Sequence, residues 1–219
     1  MEDNHYNYQK VKKKYLKFIS SQEVMSEPFR DKLKQLNKFY LPISKMIKDE
    51  YIKKKRTKVI GLTGGQGTGK STISNVLKII LKEAYKLETV IFSIDDFYKT
   101  FRERKKMSKR INSLFLTRGV PGTHDTKMLF QCIKSLKDNK FKKLTIPKFD
   151  KSIDNRSSKN KWLKIKKKPN IVIFEGWCVG ATAQKNKDLN LPINKLEKHR
   201  DKKKIWRQKV NSELKKNYK

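Results

Sequence analysis

The chain of 219 residues has little cysteine, few acidic residues and no long apolar stretch. Its two cysteines, Cys132 and Cys178, are too few for a disulfide framework or a metal-binding cysteine cluster. No apolar run approaches the length that a membrane-spanning helix needs. Residues 1–6 lack the basic start and the apolar segment of a signal peptide. From these absences we expect a soluble, cytoplasmic protein without a membrane partner.

The shortage of acidic residues leaves a large positive charge. Lys and Arg number 56 against 21 Asp and Glu, which gives a formal net charge of +35. Such a charge attracts polyanions, so binding to nucleic acid or an anionic membrane is one interpretation. The other is a bias toward lysine throughout the chain. We favour the second, because the sequence lacks a zinc finger, an RNP-type aromatic motif and a G-x-x-G clamp. Nucleic acid is then expected to bind only through non-specific charge.

Residues 64–71 read GGQGTGKS and match the phosphate-loop pattern G-x-x-x-x-G-K-[ST]. The apolar residues 59–63 before them predict a buried strand, and residues 73–84 after them have the apolar period of a helix. In this arrangement backbone N–H groups surround a pyrophosphate, and the helix N-terminus adds partial positive charge. The pattern predicts ATP binding, with Lys70 on the β- and γ-phosphates and the Ser71 hydroxyl on Mg²⁺. The predicted nucleotide-binding residues are Gly64, Gly65, Gln66, Gly67, Thr68, Gly69, Lys70, Ser71 and Thr72.

Apolar strands alternate with helical periods along the chain, which indicates an α/β fold. Further strands are predicted at 89–94, 144–147 and 171–174, and helices at 126–136 and 205–214. We therefore expect the three-layer sandwich of a P-loop NTPase, with a mainly parallel sheet formed by residues 58–219. Residues 1–57 predict an N-terminal helical extension, broken at Leu41-Pro42 and packed on this core. The Ser-, Asn- and Lys-rich residues 151–168 predict a mobile loop near the substrate.

Acidic residues follow two of the predicted strands, with Asp95 and Asp96 after the second and Glu175 after the last. Because the carboxyl ends of parallel strands meet at one edge, we expect these acids to lie near the phosphate loop. Glu175 would hold Mg²⁺ directly or through water, or else cap the next turn. One of the two aspartates would accept the proton of an acceptor hydroxyl, since adjacent side chains on an extended backbone point to opposite sides. The alternative for this pair is an Asx turn or a helix cap.

Four motifs resemble a known group of enzymes. Residues 93–98, SIDDFY, are similar to the second-strand signature of P-loop kinases of the uridine kinase, phosphoribulokinase and bacterial pantothenate kinase group. Within that group, residues 118–125 (RGVPGTHD), 147–152 (PKFDKS) and 175–180 (EGWCVG) resemble D-glycerate 3-kinase and its fungal relatives. The resemblance runs from about residue 41 to residue 181 and continues weakly to residue 218.

The resemblance implies a phosphotransferase that moves the γ-phosphate of ATP, with Mg²⁺, to a hydroxyl of a small metabolite, D-glycerate for the best match. Asp95 matches the aspartate that acts as general base in this group, and Lys70 and Ser71 match its phosphate and Mg²⁺ contacts. The implied acceptor-binding residues are Asp96, Tyr98, Arg118, His124, Asp125, Asp150, Lys151 and Arg156.

The chemistry of this set suits a small acid. Arg118 or Lys151 would pair with a carboxylate, and His124 and Asp125 would bond hydroxyls. A purely structural role for His124 is an equal alternative.

The sequence departs from the family pattern after Glu175, where only 44 residues follow. The family continues there with further core strands and an arginine-bearing lid, and neither Arg200 nor Arg207 matches a lid motif. A lid excludes water and stabilises the charge of the transferred group. The chain therefore reads as a C-terminally truncated kinase core. Two other functions stay open: a nucleotide-binding protein without kinase turnover, and a nucleic-acid-directed P-loop protein.

Overall fold

The computed structural model describes residues 7–24 and 28–218. Residues 1–6, from which the absence of a signal peptide was predicted, lie outside the described residues. The helices in chain order are α1 (Tyr8–Ser20), α2 (Lys32–Gln35), α3 (Leu41–Lys54), α4 (Lys70–Tyr85), α5 (Phe101–Arg110), α6 (Thr126–Lys137), α7 (Lys195–Arg200) and α8 (Ile205–Asn217). The strands are β1 (Lys58–Thr63), β2 (Thr89–Ser93), β3 (Leu144–Ile146), β4 (Phe149–Asp150), β5 (Asn155–Arg156), β6 (Leu163–Ile165) and β7 (Ile171–Gly176). None of the described helices combines the length and the apolar character needed to cross a lipid bilayer.

The chain forms two compact units, each assembled from separate stretches. The first unit contains Met1–Phe92, Leu136–Lys142 and Lys166–Glu175. The second contains Ser93–Ser135, Lys143–Ile165 and Gly176–Lys219. The domain boundary at residue 57 stays a prediction from sequence.

A parallel sheet in the order β1-β7-β2 forms the centre of the first unit. Ile171 and Ile173 are fully buried in β7, and their spacing of two residues places them on one face of the sheet. They pack in one apolar cluster with Ile47 of α3 and with Leu77 and Leu81 of α4. The predicted α/β class with a parallel sheet is confirmed.

The N-terminal helix α1 packs against α4 within the same unit. Its apolar residues recur every four positions, which gives a single buried stripe. That stripe and the residues it contacts form a second cluster, containing Val11, Tyr15, Ile19, Leu36, Val76 and Ile80. Helix α1 therefore contributes directly to the core of the unit that carries the phosphate loop.

The helix break predicted at Leu41-Pro42 is wrong, because the chain is helical through both residues. A π-helical turn, Leu36–Tyr40, continues directly into α3, and Pro42 lies in the first turn of that helix. Proline is tolerated in a first turn because its missing N–H group would have no intrahelical partner there. The chain changes helix type before Pro42 and stays helical.

Two antiparallel strand pairs, β3 with β6 and β4 with β5, belong to the second unit. This corrects two expectations. Residues 144–147 were assigned to the parallel sheet, but Leu144 of β3 pairs with Ile165 of β6. Residues 151–168 were expected to be a loop, but they contain β5 and β6. Ile146 and Ile165 supply the buried side chains of the β3–β6 pair, a signal too short to stand out among lysines.

Candidate active site

The phosphate loop connects β1 to α4 in the first unit. Gly67 and Gly69 have φ angles of +79° and +77°, a backbone region that favours glycine. The Thr68 hydroxyl and the Lys70 ammonium both donate to the Gly65 carbonyl oxygen, at 2.9 and 2.6 Å. The predicted contact of Lys70 with a phosphate oxygen would replace this hydrogen bond to the carbonyl.

Ser71 and Glu175 meet beside this loop. The Ser71 hydroxyl donates to Oε1 of Glu175 at 3.3 Å. Glu175 is only 9% exposed, near the end of β7. A hydroxyl and a carboxylate in contact are oxygen donors of the kind that Mg²⁺ takes in nucleotide sites.

The loop backbone also fits a phosphate. A Cβ atom at Gly64 would lie 2.8 Å from Oγ1 of Thr68, so glycine keeps the backbone there open. The first N–H groups of α4 have no intrahelical partners and are suited to an anion. The residues present therefore fit a nucleotide with its metal ion.

Asp95 and Asp96 lie in a 3-10 turn, Ile94–Phe97, that opens the second unit. The Ser93 hydroxyl accepts from the Asp95 N–H, and Oδ2 of Asp96 accepts from the Ser93 N–H at 3.2 Å. Ser93 is thus the N-cap of this turn, and Asp96, the third residue after it, completes its capping box. The sequence had offered a cap as an alternative, but one that opened Phe97-Tyr98. It is 6% exposed and lies 3.0 Å from Nζ of Lys148. The two adjacent acids have different environments, and Asp95 is the more accessible.

The Asp95 carboxylate is 27% exposed and lies between two donors. Nζ of Lys151 is 2.9 Å from its Oδ2. Burial first, and then the negative charge of Asp95 and a hydrogen bond with it, raise the pKa of Tyr98, so the phenol stays protonated beside this carboxylate. These neighbours restrict the Asp95 carboxylate, and its role as general base stays a prediction.

Arg118 pairs with a carboxylate of its own unit. Asp154 contacts Arg118 and, at 2.8 Å from its Oδ2, the NH2 group of Arg104. Arg104 is fully buried and also donates to the backbone carbonyls of Lys99, Leu116 and Asp154. Sequence reasoning missed Arg104, because nothing in its neighbourhood distinguishes it from the surrounding exposed basic residues of α5.

Arg156 and Asp125 form a second pair, with NH2 of Arg156 3.0 Å from Oδ2 of Asp125. Nε of Arg156 donates to the Tyr98 carbonyl at 3.1 Å. Asp125 also accepts from the Met128 N–H at the start of α6, at 3.0 Å. Arg156 thus holds the backbone at Tyr98 and Asp125 the start of α6, and the roles of both toward an acceptor stay predictions.

Asp150 forms a local turn with Ser152, whose N–H donates to its Oδ1 at 2.9 Å. Hydrogen bonds from the Ser152 hydroxyl and N–H lower the pKa of Asp150.

His124 is fully buried, and its imidazole stacks on the Tyr98 ring with centroids 4.5 Å apart. Sequence reasoning also missed Lys148, which pairs with Asp96, and Tyr218, whose hydroxyl contacts His124.

Comparison with known proteins identifies the family of the chain. Residues 59–210, more than half of the chain, match the model of the phosphoribulokinase / uridine kinase family. The chain is 37% identical over 130 residues to the uncharacterized kinase mug58 of Schizosaccharomyces pombe, covering 56% of this chain and 46% of that protein. It is 30% identical over 130 residues to the chloroplastic D-glycerate 3-kinase of Arabidopsis thaliana, covering 56% of this chain and 28% of that enzyme. The matches thus span less than half the length of these relatives.

A solved structure supports the fold. The D-glycerate 3-kinase of Cryptococcus neoformans superposes with a TM-score of 0.65 at 23% identity, over 80% of this chain and 67% of that one. The phosphate loop, the strand order and the family match agree, and the chain belongs to the phosphoribulokinase / uridine kinase family of kinases.

Proposed function

We propose that the protein is an ATP- and Mg²⁺-dependent kinase that phosphorylates a hydroxyl of a small carboxylic acid, with D-glycerate as the first candidate. The proposal rests mainly on Asp95, a carboxylate two positions after the last residue of β2, which pairs with Lys151 and lies beside Tyr98. The choice of D-glycerate is supported by the similarity to the D-glycerate 3-kinase of Arabidopsis thaliana.

The chemistry needs few groups from the protein. The acceptor O–H bond breaks as its oxygen forms a bond to the γ-phosphorus of ATP; Asp95 takes the proton, and ADP leaves. Lys70 and the N–H groups at the start of α4 neutralise charge on the phosphates. Ser71 and Glu175 would hold Mg²⁺, which supplies further neutralisation when bound.

A small acid suits the cations of the second unit. Lys151 is 61% exposed, so it can turn from Asp95 toward an acceptor carboxylate at small cost. Arg118, about 29% exposed, is the alternative partner, and its planar group could bind such a carboxylate with two hydrogen bonds. Arg104 is fully buried and fully engaged, so it is assigned no contact with the acceptor.

The test is ADP release measured with D-glycerate, pantothenate, uridine and ribulose 5-phosphate, and with no acceptor. We expect ADP release that depends on D-glycerate. Asp95→Asn should lower kcat by about 10²- to 10⁴-fold, since it removes the proton acceptor, while ATP affinity stays unchanged.

The matched control is Asp188→Asn, at an exposed aspartate outside the site, which should leave turnover unchanged. Tight ATP binding without turnover on any acceptor would contradict the kinase proposal and support the nucleotide-binding alternative. Turnover on uridine but not on D-glycerate would keep the kinase and overturn the acceptor.

A further inference from the structure

Tyr218, directly after α8, reaches the buried histidine of the second unit. Its hydroxyl oxygen is 2.7 Å from Nδ1 of His124 and accepts the Gly122 N–H at 3.0 Å. The two rings meet edge to face, with centroids 5.8 Å apart. Gly122 has a φ of +99°, and a Cβ there would lie 2.9 Å from Cγ of Glu213 in α8, so the backbone and the helix are in close contact.

The Tyr218 hydroxyl is the hydrogen-bond partner of Nδ1 of His124, so it bears directly on the tautomer of that ring. Burial lowers the pKa of His124 to about 3, so the imidazole is neutral at pH 7. Burial raises the pKa of Tyr218, so its hydroxyl keeps its one proton. The Gly122 N–H donates to the hydroxyl oxygen, and the hydroxyl proton is free to point to Nδ1. The positioning role proposed below requires this arrangement, with Nδ1 as the acceptor and the ring proton on Nε2, a buried atom with no hydrogen-bond partner among the described residues.

The imidazole in turn supports Tyr98. The two rings stack at an interplanar angle of 20°, and the two residues form an isolated antiparallel bridge. Phe149 meets the Tyr98 ring edge-on at 5.2 Å and Arg156 holds its carbonyl, so the ring has little freedom. The charge of Asp95 and a hydrogen bond with it contribute to the raised pKa of Tyr98, so the Tyr98 hydroxyl lies beside the Asp95 carboxylate.

We propose that Tyr218 is a positioning residue for Asp95: it fixes the tautomer and plane of His124, which supports the Tyr98 ring, whose hydroxyl orients the Asp95 carboxylate. This inference rests on the proposed function, since it gives Asp95 the role of base. Tyr218 would then contribute to phosphoryl transfer without touching the substrate, although it lies 94 positions from His124 in the sequence.

The kinetic test is Tyr218→Phe, which removes the hydroxyl and keeps the ring. We expect kcat to fall between about 10- and 100-fold, because a small misplacement of the base is costly, with KM for ATP unchanged. Tyr8→Phe is the matched control: it removes a tyrosine hydroxyl bonded to Asn37 in the first unit and should leave kcat unchanged.

A double-mutant cycle tests the route through Tyr98. If Tyr218 acts through Tyr98, the double variant Tyr98→Phe/Tyr218→Phe should lose no more kcat than Tyr98→Phe alone. Losses that multiply, or a Tyr218→Phe variant with unchanged kcat, would overturn the positioning role.

The tautomer can be measured without any change at these tyrosines. The chain has three histidines, so a variant carrying His5→Asn and His199→Asn leaves His124 as the one imidazole. Nitrogen-15 NMR at pH 7 should show a neutral ring protonated at Nε2, with Nδ1 as the acceptor. A ring protonated at Nδ1, or a charged ring, would overturn the proposal even if Tyr218→Phe fails to fold.

The two proposals fail differently. No turnover by the unaltered chain, with His124 protonated at Nε2, counts against the proposed function and, with it, against any role of Tyr218 in transfer. Turnover on D-glycerate with the wrong tautomer of His124 counts against the positioning role alone.

Discussion

At the scale of single residues, the second unit holds its site charges in opposite pairs. Asp95 pairs with Lys151, Asp96 with Lys148, and Asp125 with Arg156. Under the proposed function, an acid that binds one of these cations competes with the carboxylate already paired to it. Such competition favours an acceptor that brings a hydroxyl to Asp95 together with its carboxylate, since a simple anion gives no such second contact.

Arg104 gives the first prediction. Arg104→Met leaves three backbone carbonyls and Asp154 without their buried donor, so the free energy of unfolding should fall by about 3–5 kcal/mol. Chemical denaturation measures the change. Arg102→Met, at an exposed position of the same helix, should stay within about 0.5 kcal/mol of the unaltered chain. Equal losses for the two variants would show that the buried network contributes nothing specific.

His124 gives a prediction about pH. Because burial lowers its pKa to about 3 in the fold, only the unfolded chain takes up its proton between pH 6.5 and about 3. Stability therefore falls on acidification through this window, by up to about 1.4 kcal/mol per pH unit from this group. Urea unfolding between pH 7 and pH 4 should show a shallower pH slope for His124→Gln. The exposed His199→Gln should keep the full slope, and an equal slope in all three proteins would contradict the assignment.

At the scale of elements, the contact between α1 and α4 gives a third prediction. Ile19 is buried in the cluster that joins the two helices, so Ile19→Ala should cost about 2–5 kcal/mol in the free energy of unfolding. Lys13→Ala, on the exposed side of α1, is the control and should change little. Thermal unfolding in the same buffer compares them. A negligible loss at Ile19 would mean that α1 is not part of this core.

Sequence predicted the elements whose signal is local. The phosphate loop is defined by eight consecutive residues, and α4 and α6 by continuous apolar periods. The pairing of β3 with β6 was missed because each strand has only three residues and the register depends on tertiary contacts.

In the candidate site, residues within sequence motifs could be predicted, and residues defined by burial and distant partners could not. Asp95 and Lys151 were found from motifs, and the structure brings them into contact. Tyr218 and Arg104 were not found, because burial and a partner distant in sequence are what make them informative.

At the scale of the whole molecule, the net charge of +35 gives the last prediction. Random-sequence single- and double-stranded DNA should bind weakly and alike at about 0.15 M salt, with an affinity that falls steeply as salt increases. Fluorescence anisotropy at several salt concentrations measures this. Tight binding that discriminates between sequences would instead support a nucleic-acid-directed function.

The strand order also constrains how the first unit is built during synthesis. Strands β1 and β2 are made early, yet each pairs with β7, which occupies the centre and is encoded more than 75 residues after β2 ends. A ribosome-bound chain that stops before residue 171 therefore has two strands with vacant pairing edges, the kind of surface that invites aggregation. The phosphate loop emerges from the ribosome long before β7 does. Protection by chaperones would therefore matter most between the synthesis of β2 and that of β7.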